Sequence, residues 1–259
     1  MKLSVSQLGW PSSITNREAA VMLMRNGIYH VDILPGKYAS AAEALVDFIP
    51  VGVGIVGAQS LLFGCTDNIF GTDQERDAIA ERLERVFKLC SEAGARNLTF
   101  GSPKNRDKRD YTDAVARSIA TSYFQRIAKI AAKYGVVLCL EPNPTIYGCN
   151  FMTTTEEAAS IVRAVDHPNV QLQIDLGCIT ANGENLLDIC RRWHGIVGHI
   201  HISEPHLAPI QDHNGRHGRY AKILNQYFPE RTATIEVIHK SDGQTIEESI
   251  ATAKAYYHT

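Results

Sequence analysis

Four acidic or imidazole side chains stand at the ends of four consecutive apolar runs in the second half of this 259-residue chain. Val136-Val137-Leu138-Cys139-Leu140 leads into Glu141, Leu172-Gln173-Ile174 into Asp175, Gly198-His199-Ile200 into His201, and Ala233-Thr234-Ile235 into Glu236. One acid after an apolar run is ordinarily a helix cap or a solvated charge. Four in succession ask for a common cause, because an ionised carboxylate is costly to bury alone. A shared cation removes that cost. Three carboxylates and one imidazole form a hard, oxygen-rich set suited to one divalent metal ion (Mn²⁺, Mg²⁺, Co²⁺ or Zn²⁺), with positions left for substrate oxygens. His199 and His201, one residue apart, are expected to point to opposite sides of their strand, so that only one faces the metal. His201, nearer the exit, is the expected ligand, and His199 a packed neighbour.

The elements that must carry these residues are legible as alternating strands and helices. Apolar, β-branched runs occur at Leu3–Leu8, His30–Leu34, Val53–Ala58, Asn97–Phe100, Val136–Leu140, Val170–Ile174, Ile196–Ile202 and Thr232–Val237. Between them, stretches such as Ala78–Ala93, Ala114–Tyr134, Thr155–Val165 and Ile246–Tyr257 carry helical spacing. Thr154-Thr155-Glu156-Glu157 reads as an N-cap hydroxyl followed by first-turn carboxylates. Gly27, Gly94 and Gly135 each follow a helical run as left-handed C-caps. Eight strand–helix units predict an α/β fold, a (β/α)8 TIM barrel, as a single domain over residues 1–259. An open doubly wound sheet would usually carry a Gly-rich phosphate loop after its first strand, and Gln7-Leu8-Gly9-Trp10-Pro11 is no such loop. In a barrel the catalytic groups project from the C-terminal strand ends, where the four residues lie.

Composition narrows the partners. Hydrophobic residues make up 44% and charged residues 21%, enough for a sizeable core, and the net charge is −2. With pI near 6.5, no broad basic field points to nucleic acid or to an anionic membrane. No apolar run approaches the roughly 20 residues of a bilayer span, and the first residues lack the pattern of a signal peptide. The six cysteines form no CxxC pair and read as buried thiols in a reducing cytoplasm. A cytoplasmic protein acting on a small molecule is expected, and a homo-oligomer is compatible with it.

Residues just beyond other strand ends are candidates for shaping a pocket. Trp10 follows the first strand, and Phe63 and Phe70 can pack on an apolar ligand face or cover the barrel top. Lys104 and Arg106 can bind a phosphate, carboxylate or nucleotide group. Gln59, Asn143, Asn150 and His239 are candidate hydroxyl partners. His206, His213 and His217 fall in a polar loop (His206–Arg219) read as a possible lid, each with an expected surface role.

The strand-end residues, with His-Ile-His-Ile-Ser-Glu and Ile-Asp-Leu-Gly, resemble the xylose isomerase-like barrel superfamily over essentially the whole chain. Its members include sugar isomerases and epimerases, hydroxypyruvate isomerase, inosose dehydratase and apurinic endonucleases. Gln59-Ser60-Leu61-Leu62-Phe63-Gly64, Asp67-Asn68-Ile69-Phe70-Gly71 and Phe100-Gly101-Ser102-Pro103-Lys104-Asn105-Arg106 resemble its sugar phosphate isomerase/epimerase-like subgroup. The resemblance implies that Glu141 and Glu236 both bind metal and move the proton, with Asp175 and His201 as the other ligands and Glu204 at a substrate position. Cys178 and Leu207 stand where ketose epimerases of the superfamily carry a substrate-binding histidine and arginine.

The implied chemistry is enolisation of a sugar or sugar derivative, in which two glutamates pass a proton through an enediolate. A dehydratase working on a keto-sugar or inosose with the same metal site is the alternative. An apurinic endonuclease-like phosphodiesterase is disfavoured by the near-neutral charge. A non-catalytic sugar-binding barrel is disfavoured by the intact glutamate pair.

Overall fold

Each strand of the chain pairs in parallel with the next in sequence, and the eighth returns to the first to close a barrel. In the computed structural model, which describes residues 1–238 and 246–257, the strands are β1 (Lys2–Ser6), β2 (His30–Ile33), β3 (Gly54–Ala58), β4 (Asn97–Phe100), β5 (Val137–Leu140), β6 (Val170–Asp175), β7 (Val197–Ser203) and β8 (Thr232–Glu236). The helices between and after them are α1 (Asn16–Arg25), α2 (Ala41–Phe48), α3 (Asp73–Ala93), α4 (Asp113–Tyr134), α5 (Thr155–Val165), α6 (Leu176–Asn182), α7 (Leu186–Trp193), α8 (Arg216–Tyr227) and α9 (Ile246–Tyr257). All eight expected strands form, each bound lying within two residues of expectation. The first ends early because Ser6 accepts the Leu8 N–H and turns Gln7–Gly9 into a 3-10 turn.

Local signals explain the helix ends. Thr15 and Thr72 each form a reciprocal capping box with the glutamate three residues on. Thr154 caps α5 as expected, accepting the Glu157 N–H. Gly94 and Gly135 close α3 and α4 at φ +99° and +63°, a backbone region that penalises any Cβ. Two long helices thereby end abruptly enough for β4 and β5 to start within three residues.

Two kinds of core result. Aliphatic and aromatic side chains fill the layer between strands and helices, with Val31, Leu98, Phe100, Leu140, Ile200 and Ile235 fully buried. Inside the barrel the side chains are polar. His199 reaches Asp32 across the barrel at 2.9 Å, Ser4 donates to the same carboxylate at 2.7 Å, and Thr99 donates to Gln173 at 2.5 Å.

This interior corrects the expectation for β7. Side chains alternate along a strand, so residues two apart share a face. His199, His201 and Ser203 therefore all point inward, and the two imidazoles pack edge to face at 5.1 Å. His199 is a packed neighbour as expected, but it lies beneath His201 rather than behind the strand.

Candidate metal centre

Parallel register sets four side chains side by side at the C-terminal mouth of the barrel. Asp175 on β6 pairs in register with His201 on β7, and Ser203 with Glu236 on β8. Glu141 follows the last residue of β5. From these positions Glu141, Asp175, His201 and Glu236 each bring one ligand atom within 4.8 Å of the others. His201 directs Nδ1 at all three carboxylates: 3.0 Å from Glu236, 3.4 Å from Glu141 and 3.8 Å from Asp175.

Each carboxylate is held by a neutral donor. Gln59, just past β3, donates to Glu236 Oε1 at 2.6 Å. Gln173, inside the barrel, donates to Glu141 Oε1 at 2.7 Å, and Asn143 donates to Glu141 Oε2 at 3.1 Å. Asp175 accepts from the Ser203 hydroxyl and, as the N-cap of α6, from the Cys178 N–H. Gly101 is glycine for the same reason: a Cβ there would stand 2.1 Å from Glu141 Oε2.

The electrostatics are those of a cluster with surplus negative charge. Burial, reinforced by Glu141 and Glu236, pushes the Asp175 carboxyl up to about 7. Burial alone would depress His201, yet the surrounding carboxylates hold its pKa well above the ordinary imidazole value. Burial would likewise raise Glu236, but His201 and Gln59 keep it ionised below its usual range. Neither lysine nor arginine is bonded to any of the four carboxyl or imidazole groups among the described residues. Three converging carboxylates balanced by a single imidazole fit one hard divalent cation.

A cavity of about 620 Å³ opens above this floor, lined by Glu141, Glu236, Gln59, Asn143, Lys104 and Phe63 among others. The structure therefore brings together the quartet and four of the expected pocket residues: Gln59, Phe63, Lys104 and Asn143. Leu207 also lines the cavity.

The other expected residues among those described lie outside this cavity. Arg106 is fully buried and does not line the cavity; its Nη1 donates to the Glu141 main-chain carbonyl at 2.7 Å, bracing the exit of β5. Glu204 turns instead to the start of α8, where it accepts from Arg216 at 2.6 Å and from His217 at 3.0 Å. Charge-assisted partners on an adjacent helix draw it away from the pocket and hold its acidity up despite burial. Trp10 lines a neighbouring groove rather than the cavity. Asn150 bonds Asp107 in the loop after β4, and Phe70 packs on Phe151 in the core. His217, expected at the surface, is buried between Glu204 and Tyr257. In the His206–Arg219 loop, His206 and His213 are exposed, on two 3-10 turns. His239 lies outside the described residues.

Gln173, Ser203 and Asp32 escaped the sequence reading. Each carried a signal: Gln173 and Ser203 stand two residues from Asp175 and His201, on the same strand faces. Asp32, flanked by Val31 and Ile33, could have been flagged as an acid inside a buried strand.

A family model described as a xylose isomerase-like TIM barrel matches residues 20–254. A Xenopus laevis protein named "Putative hydroxypyruvate isomerase" is 36% identical over 85 residues, a match that covers 32% of this chain and 31% of that protein. Among solved structures, D-psicose 3-epimerase from Clostridium cellulolyticum H10, with D-tagatose, superposes with a TM-score of 0.83 at 14% identity, over 100% of both chains. IOLI protein, solved with a zinc atom, superposes with a TM-score of 0.74 at 17% identity, again over 100% of both. At such identities the likeness is one of fold. Among the described residues no helix is long and apolar enough to cross a membrane.

Proposed function

The chain belongs to the xylose isomerase-like TIM barrel family, and we propose that it is a divalent-metal-dependent isomerase or epimerase of a sugar or sugar derivative. The observation that carries this reading is the pairing of Glu141 and Glu236. They approach one centre from β5 and β8, each pinned by a glutamine amide, and both line the cavity where a substrate would lie.

Glu141, Asp175, His201 and Glu236 are the residues that would hold the ion, with Mn²⁺, Mg²⁺, Co²⁺ and Zn²⁺ all compatible with the donor set. When bound, such an ion supplies Lewis-acid stabilisation of negative charge building on a substrate oxygen. The protein's own residues handle the proton. One glutamate accepts it from the carbon beside the substrate carbonyl, and the electron pair of that C–H bond delocalises into the carbonyl. Return of a proton to the same carbon from the opposite face, by the second glutamate, gives epimerisation; return to the neighbouring carbon gives isomerisation. Gln59 and Gln173 orient the two carboxylates. Lys104 offers a donor to substrate oxygens, and Asn143, whose amide N–H groups serve Glu141 and the Gly101 carbonyl, offers its Oδ1 as an acceptor to a substrate hydroxyl. Five of the six cysteines are buried and none is paired, which supports a cytoplasmic setting.

The test is isotope exchange. Metal-loaded protein incubated in D₂O with a panel of ketoses, sugar phosphates and keto-sugars should place deuterium at the carbon next to the carbonyl of its substrate. Glu236→Gln should abolish that exchange. Absence of exchange across the whole panel would overturn the reading.

A further inference from the structure

A second groove, of about 460 Å³, adjoins the cavity above the quartet, and Leu8, Ser60 and Phe63 form a wall common to both. It is lined further by Trp10, Leu34 and Ile238. The two spaces differ in what they offer a ligand. The cavity over the metal centre presents carboxylates and amides, whereas the groove presents faces. Of its polar groups, Gln7 donates to Asn16 and Tyr38 and accepts the Leu34 N–H, and the Trp10 indole N–H points to Asn16, while Ser12, Lys37 and Ser60 line it beside the apolar residues.

Phe63 marks the junction. It is 79% exposed, the most exposed of the large hydrophobic side chains described. The turn beneath it is firmly held, so the exposure is not slack chain. Leu61 and Leu62 are buried, the Phe63 N–H donates to Ser60 O at 3.0 Å, and Arg82 donates to the Phe63 carbonyl at 2.5 Å. An aromatic held rigidly between a polar cavity and an apolar groove can stack on a ring that reaches from one into the other.

We infer that the substrate is bipartite: its reacting sugar sits over Glu141 and Glu236, and a second ring attached to that sugar lies in the groove against Phe63 and Trp10. The ring is one with an apolar face, an aromatic aglycone or a further pyranose. This rests on the sugar isomerase or epimerase reading and narrows it from free monosaccharides to glycosides whose reacting sugar carries its carbonyl away from the glycosidic carbon, since the acetal at that carbon cannot enolise.

The chain carries its own reporter. It has two tryptophans, and Trp193 lies away on α7, bonded to Glu156 and stacked by Arg163 and Arg192. In Trp193→Phe protein, fluorescence therefore reads the Trp10 groove alone. Phenyl β-glucoside, cellobiose and methyl β-glucoside are titrated into this metal-loaded protein. The first two should perturb Trp10 emission, and at least one should bind about tenfold tighter than methyl β-glucoside. Phe63→Ala, at an exposed position that leaves the fold intact, should bring the preference to within about twofold. Preference for the phenyl compound assigns an aglycone, and preference for cellobiose a second sugar. Equal binding of all three, or a preference that survives Phe63→Ala, overturns the inference. These are binding readouts, so they separate from the reaction: a Trp10 response without deuterium exchange on any substrate keeps the groove and removes the isomerase reading. Exchange with free ketoses while all three glycosides bind alike does the reverse.

Discussion

Gln59 donates to Glu236 Oε1 across 2.6 Å, joining the turn after β3 to the end of β8 on the far side of the sequence. The bond fixes one carboxylate oxygen and leaves Oε2 facing His201. Groups that orient a ligand typically matter about 10–100-fold for affinity or activity. Gln59→Leu should accordingly lower kcat by about 10–100-fold, with a smaller change in KM and with the Tm preserved within a few degrees. Steady-state kinetics beside a melting curve checks this. A kcat within twofold of the parent would mean that Glu236 is positioned without Gln59.

Asp175 makes metal binding pH-dependent. Its carboxyl is pushed up to about 7 by burial and by Glu141 and Glu236, from an ordinary 3.8. Between those values the folded, metal-free protein keeps a proton that the unfolded chain has released, so this contribution to stability falls as pH rises through the window. The raised His201 pKa acts in the same direction at higher pH. An arriving cation must displace both the Asp175 proton and the one His201 holds, so its affinity should climb by more than about tenfold, up to about 100-fold, per pH unit from pH 5 to 7. Calorimetric titration in buffers of differing ionisation enthalpy should register the released protons. Asp175→Asn should bind metal far more weakly and flatten the melting temperature of the metal-free protein across the same range. An affinity independent of pH over that range would contradict the assignment.

How much of this was legible in the sequence depends on what each residue answers to. The eight strands and the four strand-end ligands follow from local pattern: an apolar run, then an acid or imidazole. The same two-residue period carries Gln173 and Ser203 into the site and turns His199 to the inner face beneath His201. Arg106, Glu204 and His217 were beyond such reading. Their roles depend on partners 35, 12 and 40 residues away: the Glu141 carbonyl, Arg216 and Tyr257. A charged residue in a loop reads as solvated until the acceptor that buries it is known.

Gly101 offers a test of how tightly Glu141 must be held. A methyl group there would stand 2.1 Å from Glu141 Oε2 and 3.5 Å from Asn143 Nδ2. The carboxylate is the movable partner, so Gly101→Ala should expel it from its place between Gln173 and Asn143 while the barrel still forms. Activity should fall about 100-fold or more, since misplacement by about an ångström costs on that order. The circular dichroism spectrum should be unchanged. Full activity in this variant would show that Glu141 does not work from the position seen here.

Glu204 can be tested for whether it serves the fold or the reaction. It is buried against His217 and Arg216, and His217 in turn is 2.6 Å from the Tyr257 hydroxyl. The set ties the exit of β7 to α8 and α9. Replacing His217 with leucine keeps the volume roughly but leaves the Tyr257 hydroxyl and one Glu204 oxygen without their partner. Stranding buried polar groups in this way costs about 1–3 kcal/mol. The variant should therefore unfold at lower denaturant, while Arg216 keeps Glu204 ionised and metal stoichiometry stays at the parent value. Denaturant titration and metal analysis on one preparation separate the possibilities. Metal lost with stability unchanged would move Glu204 from the scaffold into the reaction centre.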